Sequence, residues 1–385
     1  MNVSRIKIQG FKCFLDSTIE LKNLTVLCGS NGSGKSSVIQ AILLARLSIE
    51  KNSPLIGDSY NCDRWNNVPV PLNGFYELNL GEREEIENGH QFKIDIDGLS
   101  FLMKERDSIG LNLREDNILV DCSGAVPDNA FITRREFYYL NAERIGPRYI
   151  SEFVPMDFPN CGFKGERTGQ VYYDFDKSFY KVESSRCFPE KKGAFRMQAD
   201  AWIDYICPGI TPTVEYIGRL SGQIRLRNNR INKLSAATNI GFGVSYLLPI
   251  VVTGLIAKPN TLFIVENPEA HLHPKAQSNL GFYLGVIAAS GVRILIETHS
   301  EHIINGIRRA VLSKETNLNS QDIGIYFFNG YSQQPNIDDS QYSIPNLILE
   351  EIDIDDSGNL SNWPVDFFDQ TRQDLADIIY MARKS

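Results

Sequence analysis

The sequence predicts an α/β chain with a mixed central sheet, an N-terminal antiparallel β subdomain and an inserted α+β arm. Three observations point there. A glycine-rich turn, Gly29-Ser30-Asn31-Gly32-Ser33-Gly34-Lys35-Ser36, lies between an apolar run at 24–28 and a helical pattern at 37–44. Two further apolar runs, 261–265 and 292–296, have the texture of strands buried in a parallel sheet, and a stretch of helical spacing at 274–290 separates them. From about 55 to 235 the composition turns to Tyr, Phe, Asn, Pro and Gly without a heptad repeat, which argues against a long coiled-coil arm.

The elements follow in chain order. Val3, Arg5 and Lys7 alternate with Ser4, Ile6 and Ile8 as a first strand would, and 18–21 supplies a second before the third at 24–28. The arm offers short strands at 91–96 and 136–140. Ile240 to Ala257 carries no charge and reaches the lower edge of a membrane span. Gly241, Gly243, Ser245 and Pro249 interrupt it and no second span accompanies it, so a buried helix is expected and no membrane contact. The tail offers two strands within 325–355 and a last helix at 367–383. The expected segments are 1–55, 56–235, 236–330 and 331–385.

With 385 residues the chain has room for one large or two moderate domains around a sizeable core. Its 42% hydrophobic and 22% charged residues are those of an ordinary globular protein, and a net charge of −8 excludes a general affinity for nucleic acid. Any such contact needs a local basic surface, and 224–233, with four positive charges and no negative one, is the candidate; a solvated hairpin face is the more common outcome. The N-terminus has no apolar signal region. Cys13, Cys28, Cys62, Cys122, Cys161, Cys187 and Cys207 are odd in number and never spaced C-x-x-C, which fits reduced thiols and a cytoplasmic setting.

The turn at 29–36 is a complete phosphate-binding loop in its proper setting. Glycines let the backbone wrap an anion so that N–H groups of Gly29 to Ser37 and the helix N-terminus point at phosphates. Lys35 then reaches the β- and γ-phosphates, and the Ser36 hydroxyl holds magnesium. The bland alternative, a Gly/Ser turn before a core helix, rarely comes with strand and helix so placed. Glu266, closing the 262–265 run, is the acidic residue expected to hold Mg2+ directly or through water. His299, beyond the next run, can sense or polarise the γ-phosphate, and Glu269 lies within reach of both in sequence. His271 and His273 could be read as a metal pair, although the phosphate loop already accounts for a loop at this edge. Asp353 to Gly358 resembles the start of a calcium loop, but Pro364 stands where its last ligand belongs, so a β-turn is expected. No nuclease site is identifiable.

With these motifs on the page, the chain resembles the ABC-type ATPase heads of the SMC/RecF-like superfamily. Among them it looks closest to ATPases of bacterial anti-phage loci related to the overcoming-lysogenization-defect and Septu ATPases. The resemblance is carried by the segments 8–14, 29–36, 139–144, 239–249, 266–274, 297–300 and 363–369 in that order. It implies an ABC/SMC-head-like P-loop NTPase with ATP and Mg2+ as cofactors, Lys12 at the nucleotide, and a homodimer or higher oligomer. It further implies that Asn239, Gly241, Gly243 and Ser245 form a signature segment capping ATP held by the opposite copy. Leu220-Ser221-Gly222-Gln223 looks like a shortened signature but runs into a strand pattern. Arg144 either touches phosphate or the dimer face, or serves a structural ion pair.

Such heads usually carry Asp-Glu where this chain has Glu266-Asn267. An amide cannot take a proton from water as a carboxylate does, so weak turnover is expected, with Glu269 or His299 contributing. The resemblance implies a sensor or regulator in a defence complex with a separately encoded effector, a nuclease being the first candidate. Two rivals stand beside it: a DNA-repair or chromosome-maintenance head that clamps DNA, and a scaffold with ATP as a permanent structural ligand.

Overall fold

The computed structural model describes residues 4–87, 92–104, 116–127, 130–188, 193–217, 220–229, 231–239, 242–331, 347–364, 367–368 and 370–384. The chain opens with β1 (Ser4–Phe11) and β2 (Phe14–Leu21), a hairpin that places Ile6 opposite Ile19. Period-two alternation buries Ile6, Ile8, Ile19 and Leu21 and leaves Arg5 and Lys7 to pair with Glu20 and Asp16 on the outer face. Then come β3 (Leu24–Gly29) and α1 (Lys35–Asn52), joined by the glycine turn.

The segment 56–235 contributes to both principal sheets. Its strands β4 (Lys93–Ile96), β5 (Leu99–Met103) and β6 (Val120–Gly124) extend the hairpin into a five-stranded antiparallel sheet of order β6–β5–β4–β1–β2. Its strand β7 (Phe137–Leu140) instead forms one edge of the central sheet. Helices α2 (Thr168–Lys177) and α3 (Phe195–Ile206) follow, then β8 (Ile210–Tyr216), β9 (Ser221–Asn228) and β10 (Lys233–Ala236) as a smaller antiparallel sheet. The false signature at 220–223 thus lies at the start of β9.

The remaining elements are α4 (Phe242–Ile256), β11 (Leu262–Glu266), α5 (Pro274–Ala289), β12 (Arg293–Thr298), α6 (Glu301–Leu312), β13 (Ile323–Tyr331), β14 (Leu347–Ile352) and α7 (Gln370–Lys384). Within the uncharged stretch, Phe242–Ile256 forms the largely buried helix α4, and among the described residues no helix is long and apolar enough to cross a membrane. Asp353 to Gly358 makes a turn in which the Ser357 and Asn359 N–H groups donate to the Asp355 carboxylate.

The central sheet has the order β7–β11–β12–β3–β13–β14, parallel except for its last strand. Alternation along these strands splits the core in two. Val26, Phe263, Val265, Ile294 and Ile296 face the helical layer of α2 to α6, while Leu27, Ile264 and Leu295 face α1 and the antiparallel sheet. Each such side chain contributes about 1.5–3 kcal/mol by burial, so the strands form a rigid base from which the loops at their C-terminal ends project. The expected mixed α/β P-loop architecture is present.

Candidate functional site

The ends of β3, β12 and β11 lie side by side, which brings the phosphate loop, the His299 turn and the Glu266 turn to one edge. Gly34 closes the loop at a φ of 105°, and a Cβ there would lie 2.7 Å from the Cys13 sulfur. A residue without a side chain is therefore required, and the β1–β2 turn packs against the loop from below. The Ser33 hydroxyl donates to the Ser30 carbonyl at 2.8 Å. The Lys35 ammonium donates to the carbonyls of Gly29 at 3.1 Å and Ser30 at 2.5 Å, so it lies inside the loop's concavity. Burial lowers its pKa. Helix α1 starts at Lys35, immediately after the loop, so its N-terminus adjoins the same space.

Three glutamates converge there. Glu266 and Glu297 are neighbours in the β11–β12 register. The Ser36 hydroxyl donates to both Glu297 oxygens, at 2.9 and 3.2 Å. The Glu266 carboxylate accepts from the Tyr139 hydroxyl at 2.9 Å and the Ala142 N–H at 3.3 Å. Glu269 accepts from the Thr298 hydroxyl at 2.8 Å and from the His299 N–H at 2.7 Å, which ties the two turns together. Burial raises the pKa of all three. For Glu297 burial, joined by the charges of Glu266 and Glu269, outweighs Ser36 and Lys35 and pushes it up to about 7. Burial and the Lys35 charge lower the His299 pKa against the opposing pull of the Gly29 backbone, which favours a neutral ring.

Arg144 organises the Glu266 turn from beneath. It is 2% exposed and donates to the carbonyls of Asn141 at 3.0 Å, Glu266 at 2.6 Å and Asn267 at 2.6 Å. Its guanidinium also lies 5.4 Å from the centre of the Tyr246 ring on α4. Its role is therefore structural, held by backbone carbonyls rather than by the ion pair expected from the sequence. Asn267 sits at a φ of 42°, in the left-handed region that Asn tolerates and Glu enters at a cost. This gives a backbone reason for the amide at that position.

The other expected residues fall as follows. Ser30, Asn31, Gly32 and Ser37 line the loop. Lys12, at a φ of 50° between β1 and β2, donates to the Gln40 side chain at 2.7 Å, so its charge is directed at α1. Asn239 is exposed just before α4, Gly243 and Ser245 lie in the first turns of α4, and Gly241 lies outside the described residues. A Cβ on Gly243 would lie 2.9 Å from the His271 carbonyl, so the start of α4 rests on the loop that follows Glu266. The His271 ring packs between Phe242, at 5.4 Å, and Tyr246, at 4.6 Å, rather than beside His273 as a metal pair. The residue missed at the sequence level is Glu297. The signal for it was a carboxylate directly after the apolar run Ile294-Leu295-Ile296.

The hydroxyl and carboxylate oxygens at the loop are hard donors of the kind magnesium prefers. Among the described residues no group of three His, Cys, Asp or Glu is arranged to hold a metal by itself.

Residues 1–119 and 190–304 match a family described as the AAA ATPase domain, and residues 318–378 match a family described as a protein of unknown function, DUF3696. No curated protein matches the chain. Similar solved structures include the SMC head domain from Thermotoga maritima, at 11% identity and a TM-score of 0.40 over 86% of this chain and 95% of that one. An SmcHead bound to the C-winged helix domain of ScpA gives 10% identity and 0.46 over 90% and 97%. An Smc head with an extended coiled coil, bound to the C-terminal domain of ScpA derived from Pyrococcus furiosus, gives 9% and 0.44 over 98% and 99%.

Proposed function

Because the chain belongs to the AAA ATPase domain family, we propose that it binds ATP with magnesium at the 29–36 loop and hydrolyses it slowly. In this reading two copies close head to tail, each start of α4 capping the nucleotide on the other. The observation that supports it best is the set of contacts at one edge of the sheet. Lys35 lies in the loop, Ser36 bonds Glu297, Glu297 neighbours Glu266, and the His299 N–H bonds Glu269.

The loop N–H groups and Lys35 grip the β- and γ-phosphates, and Ser36 and Glu266 hold the magnesium. Magnesium, when bound, neutralises charge that develops on the transferred phosphoryl group. A neutral His299 at the loop is placed to bond the γ-phosphate. Glu269, with both oxygens engaged, fixes the His299 turn. Asn267 offers no proton acceptor, so water attack has little general-base help. We read the protein as a cytoplasmic sensor or regulator of a bacterial anti-phage defence complex whose separate effector, a nuclease for instance, is released or restrained by the closed dimer.

Turnover is expected below about 1 per second, under the usual enzyme range, and Glu269→Gln is expected to lower it further by loosening His299. A phosphate-release assay on both proteins checks this. Fast wild-type hydrolysis, indifferent to Glu269→Gln, contradicts it.

A further inference from the structure

We propose that Glu297 is a positioning residue for magnesium: it accepts the hydrogen bond that the Ser36 hydroxyl donates and so turns the oxygen lone pairs of Ser36 toward the metal. The inference rests on the nucleotide reading above and adds to it a residue outside the Glu266-Asn267 pair. Three observations carry it. The strand β12 lies between β3 and β11, so its last inward-facing residue is flanked by the phosphate loop on one side and the Glu266 turn on the other. Period two puts Glu297 on the same face as Leu295, and Glu266 on the same face as Ile264, both toward α1. The first turn of α1 then delivers Ser36 onto Glu297, at 2.9 and 3.2 Å.

The chemistry follows from the hydroxyl. It has one proton and two lone pairs. With the proton committed to Glu297, the lone pairs face the open side of the loop, where the phosphates and their cation lie. Glu266 cannot serve in this way, because its contacts run to Tyr139 and Ala142 on the far side from Ser36. Asn267 cannot either, since its N–H and carbonyl are bonded to Glu297 and Arg144 and its amide carries no charge. When ionised, Glu297 also supplies negative charge that would oppose bare triphosphate and favour it once magnesium is present.

Calorimetric titration with ATP, in magnesium and separately in EDTA, tests this on the full chain. In the wild type magnesium tightens binding. In Glu297→Ala that tightening is expected to shrink at least about tenfold, the scale for losing a partner of a metal ligand, while affinity in EDTA stays equal or improves. Ser36→Ala should shrink it similarly, and the double variant should add little to either. Lys35→Ala should lose affinity in both media. A Glu297→Ala protein that keeps the full magnesium effect, or loses affinity equally in both media, overturns the inference alone. A wild type that binds no ATP overturns the nucleotide reading with it. Glu297→Gln, which keeps shape and an acceptor but not charge, should fall between wild type and alanine.

Discussion

Lys35→Ala is expected to weaken ATP binding by at least about 100-fold and to abolish ATP-dependent self-association. Charge-assisted hydrogen bonds contribute about 1.5–3 kcal/mol each, and about 1.4 kcal/mol is a tenfold change in affinity. Losing two contacts to phosphate therefore reaches the hundredfold range. The fold should survive, because the carbonyls that Lys35 now bonds belong to Gly29 and to the exposed Ser30, where water can replace it. Calorimetry with ATP and a thermal melt separate the two effects. A variant that melts like wild type and still binds ATP tightly would contradict the role given to the loop.

Arg144→Met is expected to produce the largest loss of stability, about 3–5 kcal/mol, the range for stripping one partner from a buried charge cluster. Burial pushes the Arg144 pKa down only to about 10, so the guanidinium is charged at neutral pH despite being 2% exposed. Removing it leaves three carbonyls without their donor and takes the nearest positive charge from Glu266 and Glu269. It also frees Tyr246, and with it the contact between the Glu266 turn and α4. Arg144→Lys should recover only part, since an ammonium cannot fork to two successive carbonyls. Urea unfolding of the three proteins measures this, and a loss below about 1 kcal/mol for Arg144→Met would show that the cluster is not held by the guanidinium.

Much of this architecture was legible because its signals are local. Four apolar residues before Glu266, and three before Glu297, read as buried strands when glycine turns and a helix-length segment separate them. The α1 start needed only the loop pattern. The pairing of the 56–235 strands was not legible: nothing in 93–103 says that it will extend the β1–β2 hairpin, nor in 137–140 that it will lie beside β11. Such choices depend on which edge is left unpaired once the core has formed, and a strand's own residues fix its face rather than its neighbour. At the site, Glu266 and His299 could be read from position, whereas Glu297 required knowing that β12 separates β3 from β11. Asn267 stands out in the sequence as a departure from the expected pair, but its left-handed backbone, which discourages Glu, shows only in three dimensions.

The claim that one copy caps the nucleotide of another is tested most directly by Asn239→Glu. Asn239 is exposed, so the change should leave the fold and the ATP affinity of each copy intact while setting a negative charge against the partner's triphosphate. Light scattering with saturating ATP and magnesium should show the wild type doubling in mass and Asn239→Glu remaining a single copy with ATP bound. A wild type that stays single with its site filled, or an Asn239→Glu protein that doubles as readily, would contradict the account.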